Sequence, residues 1–172
     1  MFQKFSKTDW KTLDIFMDNP YVEYHLRDIA RLAKISSSSA KRALDNLVKT
    51  GLVNEKNKAN LRIFSANNSE ILFKQLKISK NVHFTKSLVE KLKPAIAVIL
   101  FGSFAKGENS VESDIDMVVI SNKRFDINEF KDFTVQLHNF TPAGWAKAKK
   151  NNKAFVREVL EEGITMYGEK PK

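Results

Sequence analysis

"FGSFAKGENSVESDIDMVVI" runs from Phe101 to Ile120 and sets a Gly-Ser pair and an Asp-x-Asp pair between two apolar stretches. The first stretch, "AIAVILF" at 95–101, arrives at Gly102, and the second, Ile115 to Ile120, follows Asp114. Short apolar runs rich in β-branched residues and separated by a polar loop predict two buried strands. In a strand, residues i and i+2 share a face roughly 7 Å apart, so Asp114 and Asp116 aim together while Ile115 enters the core. Two carboxylates that close repel unless a cation lies between them. A hard divalent ion with oxygen ligands, Mg2+ keeping several waters, suits the gap. Gly102 and Ser103 stand where a buried strand turns into a helix, which places backbone N–H groups and a hydroxyl to hold an anion. Lys106 is either a further phosphate contact or a solvated loop lysine. Metal on one side and phosphate on the other is an arrangement for phosphoryl or nucleotidyl transfer.

Two other phosphate motifs are excluded. A Walker A loop needs Gly-Lys followed by a hydroxyl residue, whereas the order here is Lys106-Gly107, and "GSFAKG" lacks the third glycine of a dinucleotide fingerprint. The stretch instead resembles the nucleotidyltransferase superfamily that includes DNA polymerase beta, and within it the small minimal nucleotidyltransferases. Their signature of strand, Gly-Ser, loop and Asp-x-Asp is matched by Gly102, Ser103, Gly107, Ser113, Asp114 and Asp116. The tail "FVREVLEEGITMYG", 155–168, resembles the last helix and closing segment of that group, so the likeness spans about 82–168. The resemblance implies a mixed sheet with flanking helices. It makes Asp114 and Asp116 catalytic residues that bind Mg2+ and a nucleoside triphosphate, with ATP expected, and Gly102, Ser103 and Ser113 nucleotide contacts, which Lys106 joins where it reaches the phosphates.

One departure bears on turnover. The family supplies a third carboxylate from a later strand, and the matching strand here, "FTVQLHNF" at 133–140, carries Gln136 at that place. An amide donates and accepts hydrogen bonds but brings no negative charge and takes no proton. Alternation puts Asp132, Thr134, Gln136 and His138 on one face, which leaves Asp132 or His138 as substitutes. Asp132 is expected to end a helix over "DINEFKDF", 126–133.

The first half has a different pattern. "TDWKTLDIFM", 8–17, places Trp10, Leu13, Phe16 and Met17 on one helical face, with Thr8 or Asp9 as the cap. After Pro20, "YHLRDIARLAKIS" spaces a short second helix, and Ser36 caps a third in which Ala40, Ala43, Leu44, Leu47 and Val48 form the apolar stripe before Gly51. The outer face of the third helix carries Ser37, Ser38, Lys41, Arg42, Asn46 and Lys49. Runs Leu52–Glu55 and Leu61–Phe64 around "KNKAN" predict a hairpin bearing Lys56, Lys58 and Arg62. "IARLAKISSSSAKRALDNLVKTGLV" resembles the winged helix-turn-helix family, and the likeness covers about the first 67 residues. It implies that Ser37, Ser38, Lys41, Arg42, Lys56, Lys58 and Arg62 contact nucleic acid, DNA first and RNA second, and it admits a homodimer. "NNSEILFKQLKISK" predicts a helical connector, and "VHFTKSLVEKLK" a separate helix with Phe84, Leu88, Val89 and Leu92 inward, ended by Pro94.

The expected class is therefore α+β, a winged helix-turn-helix over 1–80 with its connector and a nucleotidyltransferase-like domain over 81–172. Charge supports two different jobs. Up to Lys93 there are 18 Lys and Arg against 9 Asp and Glu, and from Pro94 onward 11 of each, so the whole net charge of +9 belongs to the first half. A solvated lysine-rich face would give the same excess; a polyanion partner gives it a use. The chain has no cysteine, which removes disulfides and thiolate sites and fits a reducing, cytoplasmic setting. No apolar run approaches the roughly 20 residues that span a bilayer. Two functions follow: a Mg2+-dependent transferase of nucleoside monophosphate with a nucleic-acid-binding module, or a DNA-binding regulator, an antitoxin among them, whose nucleotide domain is inactive and which takes a protein partner.

Overall fold

The computed structural model describes residues 5–58 and 61–171. The chain divides into two compact units, Met1–Lys74 and Gln75–Lys172.

In the first unit, α1 (Lys7–Asp18) starts on Ser6, whose hydroxyl accepts from the Asp9 N–H while the Asp9 carboxylate accepts from the Ser6 N–H. This reciprocal capping box satisfies two otherwise unpaired donors, and it puts the cap before Thr8. Trp10, expected inward, is exposed and meets the Phe5 ring edge-on, and Thr12 occupies the buried stripe instead. Then come β1 (Tyr24–His25), α2 (Leu26–Leu32), α3 (Ser37–Lys49), β2 (Val53–Lys58) and β3 (Leu61–Ala66). Ser36 caps α3 through the Ser39 N–H, as its sequence position predicts. The three strands form an antiparallel sheet ordered β1-β3-β2. Helix, strand, two helices and a hairpin around Leu13, Phe16, Ile29, Leu44, Leu47 and Phe64 make a winged helix-turn-helix. β2 continues to Lys58, beyond the expected Glu55. Ala59 and Asn60 of the expected "KNKAN" turn lie outside the described residues.

The expected connector and following helix are one helix, α4 (Ile71–Lys91), because no Gly or Pro interrupts those 21 residues. The second unit continues with β4 (Ala97–Phe101), α5 (Gly102–Lys106), β5 (Ile115–Ile120), β6 (Glu129–Phe130), β7 (Phe133–Phe140), α6 (Pro142–Asn151), α7 (Lys153–Glu161) and β8 (Ile164–Gly168). The sheet order is β6-β7-β5-β4-β8, with β5 and β7 parallel and the other neighbours antiparallel. The helix expected over 126–133 is absent. Lys131 and Asp132 take left-handed φ of 48° and 69° and turn β6 directly into β7, a two-residue hairpin whose twist suits its strands. Asn139 fixes the approach, accepting from the Phe125 N–H and donating to the Phe125 carbonyl, each at 3.0 Å. Asp132 therefore belongs to the turn and not to the strand face.

Strand alternation divides the core in two. Val98, Leu100, Met117, Val119 and Val135 pack with Leu88 of α4 and with Leu92 just after it. Ala97, Ile99, Phe101, Val118 and Ile120 pack with Trp145 of α6 and Val156 and Val159 of α7. Asp116, two residues before Val118, shares the face of α6 and α7. α6 had no apolar stripe to announce it. It starts on Thr141, which accepts from the Gly144 N–H, with Pro142 in the first turn.

Candidate functional site

β4 and β5 are paired so that Phe101 stands opposite Asp116, and Gly102 follows at once. Gly102 has a φ of +65°, and a Cβ on it would stand 2.7 Å from Asp116 Oδ2. The Asp116 carboxylate thus lies against the backbone of the Gly-Ser turn, in a space that only glycine leaves open. On the other side of β5, the parallel strand β7 sets Gln136 opposite Asp116. Gln136 Nε2 donates to Asp114 Oδ2 at 2.6 Å. Gln136, where an acid was expected, therefore stands across from Asp116 and binds the Asp114 carboxylate by its amide.

Burial pushes the Asp116 carboxyl above its ordinary range; His138 opposes the shift, while Asp114 and Glu158 add to it. His138 sits on β7 with its ring 5.3 Å from both Phe101 and Phe155, and of the two substitutes for the missing acid it alone faces the site. Lys106 is engaged elsewhere: its Nζ pairs with Glu158 Oε1 at 3.0 Å and Glu162 Oε2 at 2.6 Å. Those two carboxylates hold its pKa above the usual lysine value. The pairing ties α5 to α7, and neither glutamate was marked in advance, since they lie more than fifty positions along the chain. Ser113 closes the loop onto Ser110, accepting from its N–H at 2.9 Å and donating its own N–H to the Ser110 carbonyl. The backbone carbonyl of Ser103 accepts from the Gly107 and Glu108 N–H groups.

The donor set suits a hard divalent ion: two carboxylates two residues apart, Asp114 just before β5 and Asp116 within it, beside a backbone cradle that a Cβ would fill. Among the described residues no group of three or more His, Asp or Glu converges to hold a metal. An ion bound there completes its shell with water and substrate oxygens, the usual behaviour of Mg2+.

In the first unit, Ser37, Ser38, Lys41 and Arg42 are exposed along the start and outer face of α3. The Ser38 hydroxyl is 3.0 Å from the capping Ser36 hydroxyl. Asn46, expected on that outer face, turns inward and donates to Asp9 Oδ2 at 3.2 Å, joining α3 to α1. Lys56 pairs with Glu23 and lowers the pKa of that carboxyl. Arg62 pairs with Glu55 and, at 2.7 Å, with Asp45 of α3, its guanidinium 5.0 Å from the Phe64 ring centre. Both cations of the hairpin that pair internally brace it, while Lys58 is exposed at the end of β2.

The family model for polymerase beta nucleotidyltransferases matches residues 83–172. The chain belongs to that family. A relative, a candidate protein adenylyltransferase of Methanocaldococcus jannaschii, is 33% identical over 91 residues, 49% of this chain and 91% of that protein. Solved structures similar to the chain include a transcription regulator of a Staphylococcus aureus multidrug efflux pump, 17% identical with a TM-score of 0.43, covering 53% of this chain and 68% of that one. A MarR family transcriptional regulator of Silicibacter pomeroyi is 24% identical with a TM-score of 0.39, covering 48% and 60%. The winged helix of this nucleotidyltransferase-family protein rests on its own element order. No described helix is long and apolar enough to cross a membrane.

Proposed function

We propose that the second unit binds a nucleoside triphosphate, ATP in the first place, together with Mg2+, and transfers the nucleoside monophosphate to an acceptor hydroxyl or phosphate. The observation that carries this is the Asp116 carboxylate lying against the Gly102 backbone, two residues from Asp114, whose charge acts on it. Asp114 and Asp116 hold the metal; Gly102 and Ser103 take the phosphates through backbone N–H groups and hydroxyl; Ser113 shapes the loop between them. When bound, the ion neutralises charge building on the phosphates. The acceptor oxygen attacks the α-phosphorus, the bond to the β-phosphate oxygen breaks, pyrophosphate leaves, and the acceptor's proton passes to His138 or to water. Lys106, held by Glu158 and Glu162, positions α5 in this scheme. A protein hydroxyl is the acceptor that the Methanocaldococcus relative suggests. The winged helix brings the chain to DNA through Ser37, Ser38, Lys41, Arg42 and Lys58, with RNA as the second nucleic acid.

Incubation of the full chain with α-labelled ATP, Mg2+ and protein or nucleic-acid acceptors tests the transfer: label incorporation that disappears in Asp114→Ala is expected. Unchanged Mg2+-dependent nucleotide binding in Asp114→Ala/Asp116→Ala, measured by calorimetry, would refute the site. A second reading is favoured by the Gln136–Asp114 hydrogen bond, which fills the third acid's place with a neutral group. There the unit binds nucleotide without turnover, and the chain is a DNA-binding regulator that reports nucleotide to a partner. Binding without incorporation distinguishes it.

A further inference from the structure

Three polar side chains without a place in the scheme above line one stripe of α4. Lys77, Asn81 and Thr85 stand at i, i+4 and i+8, and they are 1%, 5% and 0% exposed. Further along, the same helix turns apolar with Leu88 and Val89 in the core under the sheet. The polar part meets α5, at the residue after the Gly-Ser turn, and the loop that leads to Asp114. Asn81 Nδ2 donates to the carbonyl of Phe104 in α5 and to Asn109 Oδ1 in the loop, both at 2.8 Å. Lys77 Nζ donates to the backbone carbonyl of Asn109, and Asn109 is itself buried. Thr85 Oγ1 returns to the Asn81 carbonyl at 2.9 Å and occupies the next turn of the stripe.

Core stability does not account for this choice of residues. Desolvating an ammonium ion costs several kcal/mol, and apolar side chains of similar volume often replace buried ionic groups without loss. A satisfied polar network adds directionality, because each donor accepts only one placement of its partner. The placement matters here. Asn109 lies between Gly102 and Asp114 in a segment with no strand pairing of its own, and the Ser110–Ser113 turn closes only locally. Gripping Phe104 and Asn109 from one helix fixes the phosphate side of the site and the approach to its carboxylates against a common support.

We propose that Lys77 and Asn81 are positioning residues that hold Asn109, and with it residues 107–114, so that Asp114 and the Gly-Ser turn meet one Mg2+·nucleotide. The proposal rests on the nucleotide reading above. It is tested on the full chain with Asn81→Leu and Asn109→Leu, which remove the grip, and Asn109→Asp, which keeps an acceptor for Asn81. Two quantities are read: amide hydrogen exchange of 107–114 against that of β4 and β5, and the Mg2+·ATP dissociation constant by calorimetry. The leucine variants are expected to speed exchange in the loop while the strands stay protected, and to weaken Mg2+·ATP about ten- to a hundred-fold, as loss of supporting partners does at metal sites. Asn109→Asp is expected to restore both. Where a leucine variant fails to fold, Lys77→Met carries the same comparison. Loop exchange that does not change, or faster exchange with unaltered Mg2+·ATP affinity, overturns the proposal while leaving the nucleotide reading intact. A wild-type chain that binds no Mg2+·ATP overturns both.

Discussion

Gln136→Asp should make the stability of the second unit depend strongly on Mg2+. In the wild type, Gln136 Nε2 sits 2.6 Å from Asp114 Oδ2 and shares the register position of Asp116. Replacing it removes one hydrogen bond to a charged group and sets a third carboxylate, one methylene shorter, roughly 4 Å from the Asp114 oxygens. Two like charges at that separation repel by about 1 kcal/mol in water and about 4 kcal/mol at a partly shielded site. Gln136 is exposed and Asp114 half-buried, so the lower part of that range applies, and a total near 2 kcal/mol is a fair expectation once the lost hydrogen bond is added. In a domain of this size each kcal/mol moves the midpoint by roughly 4–8 °C. Without metal, the second unit of the variant should melt on the order of 10 °C lower than wild type. Saturating Mg2+ should restore it, since a ligand at about a hundred times its dissociation constant adds about 2.7 kcal/mol. The same variant should raise label transfer from ATP, by about a hundred-fold if the third acid contributes what one electrostatic group at a reacting centre usually does. Melting curves with and without Mg2+, followed by an incorporation assay, measure each step. A variant that melts like wild type and ignores Mg2+ would show that position 136 does not face the carboxylates as a ligand, and the reasoning would fall.

Gly102→Ala forces a left-handed φ on an L-residue, worth about 1–2 kcal/mol, and drives a methyl into Asp116; denaturant unfolding should show that loss, calorimetry should show Mg2+·ATP binding abolished, and wild-type affinity would contradict the close approach. For Asp116 the sign is set by burial. A carboxyl held above its ordinary value makes the folded state bind more protons than the unfolded chain, so stability falls as pH rises through the ordinary carboxylate range toward the raised value, and the penalty persists at neutral pH. Asp116→Asn should therefore raise the melting temperature of the metal-free protein at pH 7 and leave it unchanged below the ordinary carboxylate range; equal effects at both pH values would contradict this. Lys41→Glu/Arg42→Glu should weaken duplex DNA binding and reduce the slope of log affinity against log salt by about 2, in a titration monitored by fluorescence anisotropy, and an unchanged slope would remove α3 from the interface.

How far the sequence could be read depended on how local each interaction is. The closeness of Gly102, Asp114 and Asp116 follows from strand alternation and one tight turn within twenty residues, and it could be seen in the quoted stretch. The standing of Gln136 beside Asp116 needed only the Val-x-Leu pattern of β7 aligned with Ile-x-Met of β5. The hairpin at 126–133 was hidden because its turn is Lys131-Asp132, without the Gly that usually marks left-handed positions, while Ile127 and Phe130 mimic helical spacing. The stripe of Lys77, Asn81 and Thr85 had a visible four-residue period, but polar residues at that period look like a solvated face until the loop that covers them is in place.

Cations were the least legible feature, since a lysine's role is decided by which carboxylate reaches it. Lys106, Lys56 and Arg62 each stand where a phosphate contact is expected, and each meets acids 52, 33 and 17 positions away. Exposed pairs of this kind contribute about 0–1 kcal/mol, so Lys56 can exchange Glu23 for a DNA phosphate at little cost. Arg62, held by two carboxylates and stacked on Phe64, loses more by leaving. The same bookkeeping applied to Asp114 and Asp116 gives the opposite result. Lys106, the cation of the loop that leads to them, is taken by Glu158 and Glu162, Asp114 receives an amide, and the His138 imidazole opposes the burial of Asp116. Glu158 thus acts twice, withholding Lys106 from the carboxylates and adding its own field to Asp116. The fold spends its nearby positive charge elsewhere and leaves the carboxylate pair uncompensated, and that is the electrostatic setting in which a bound divalent cation gains most.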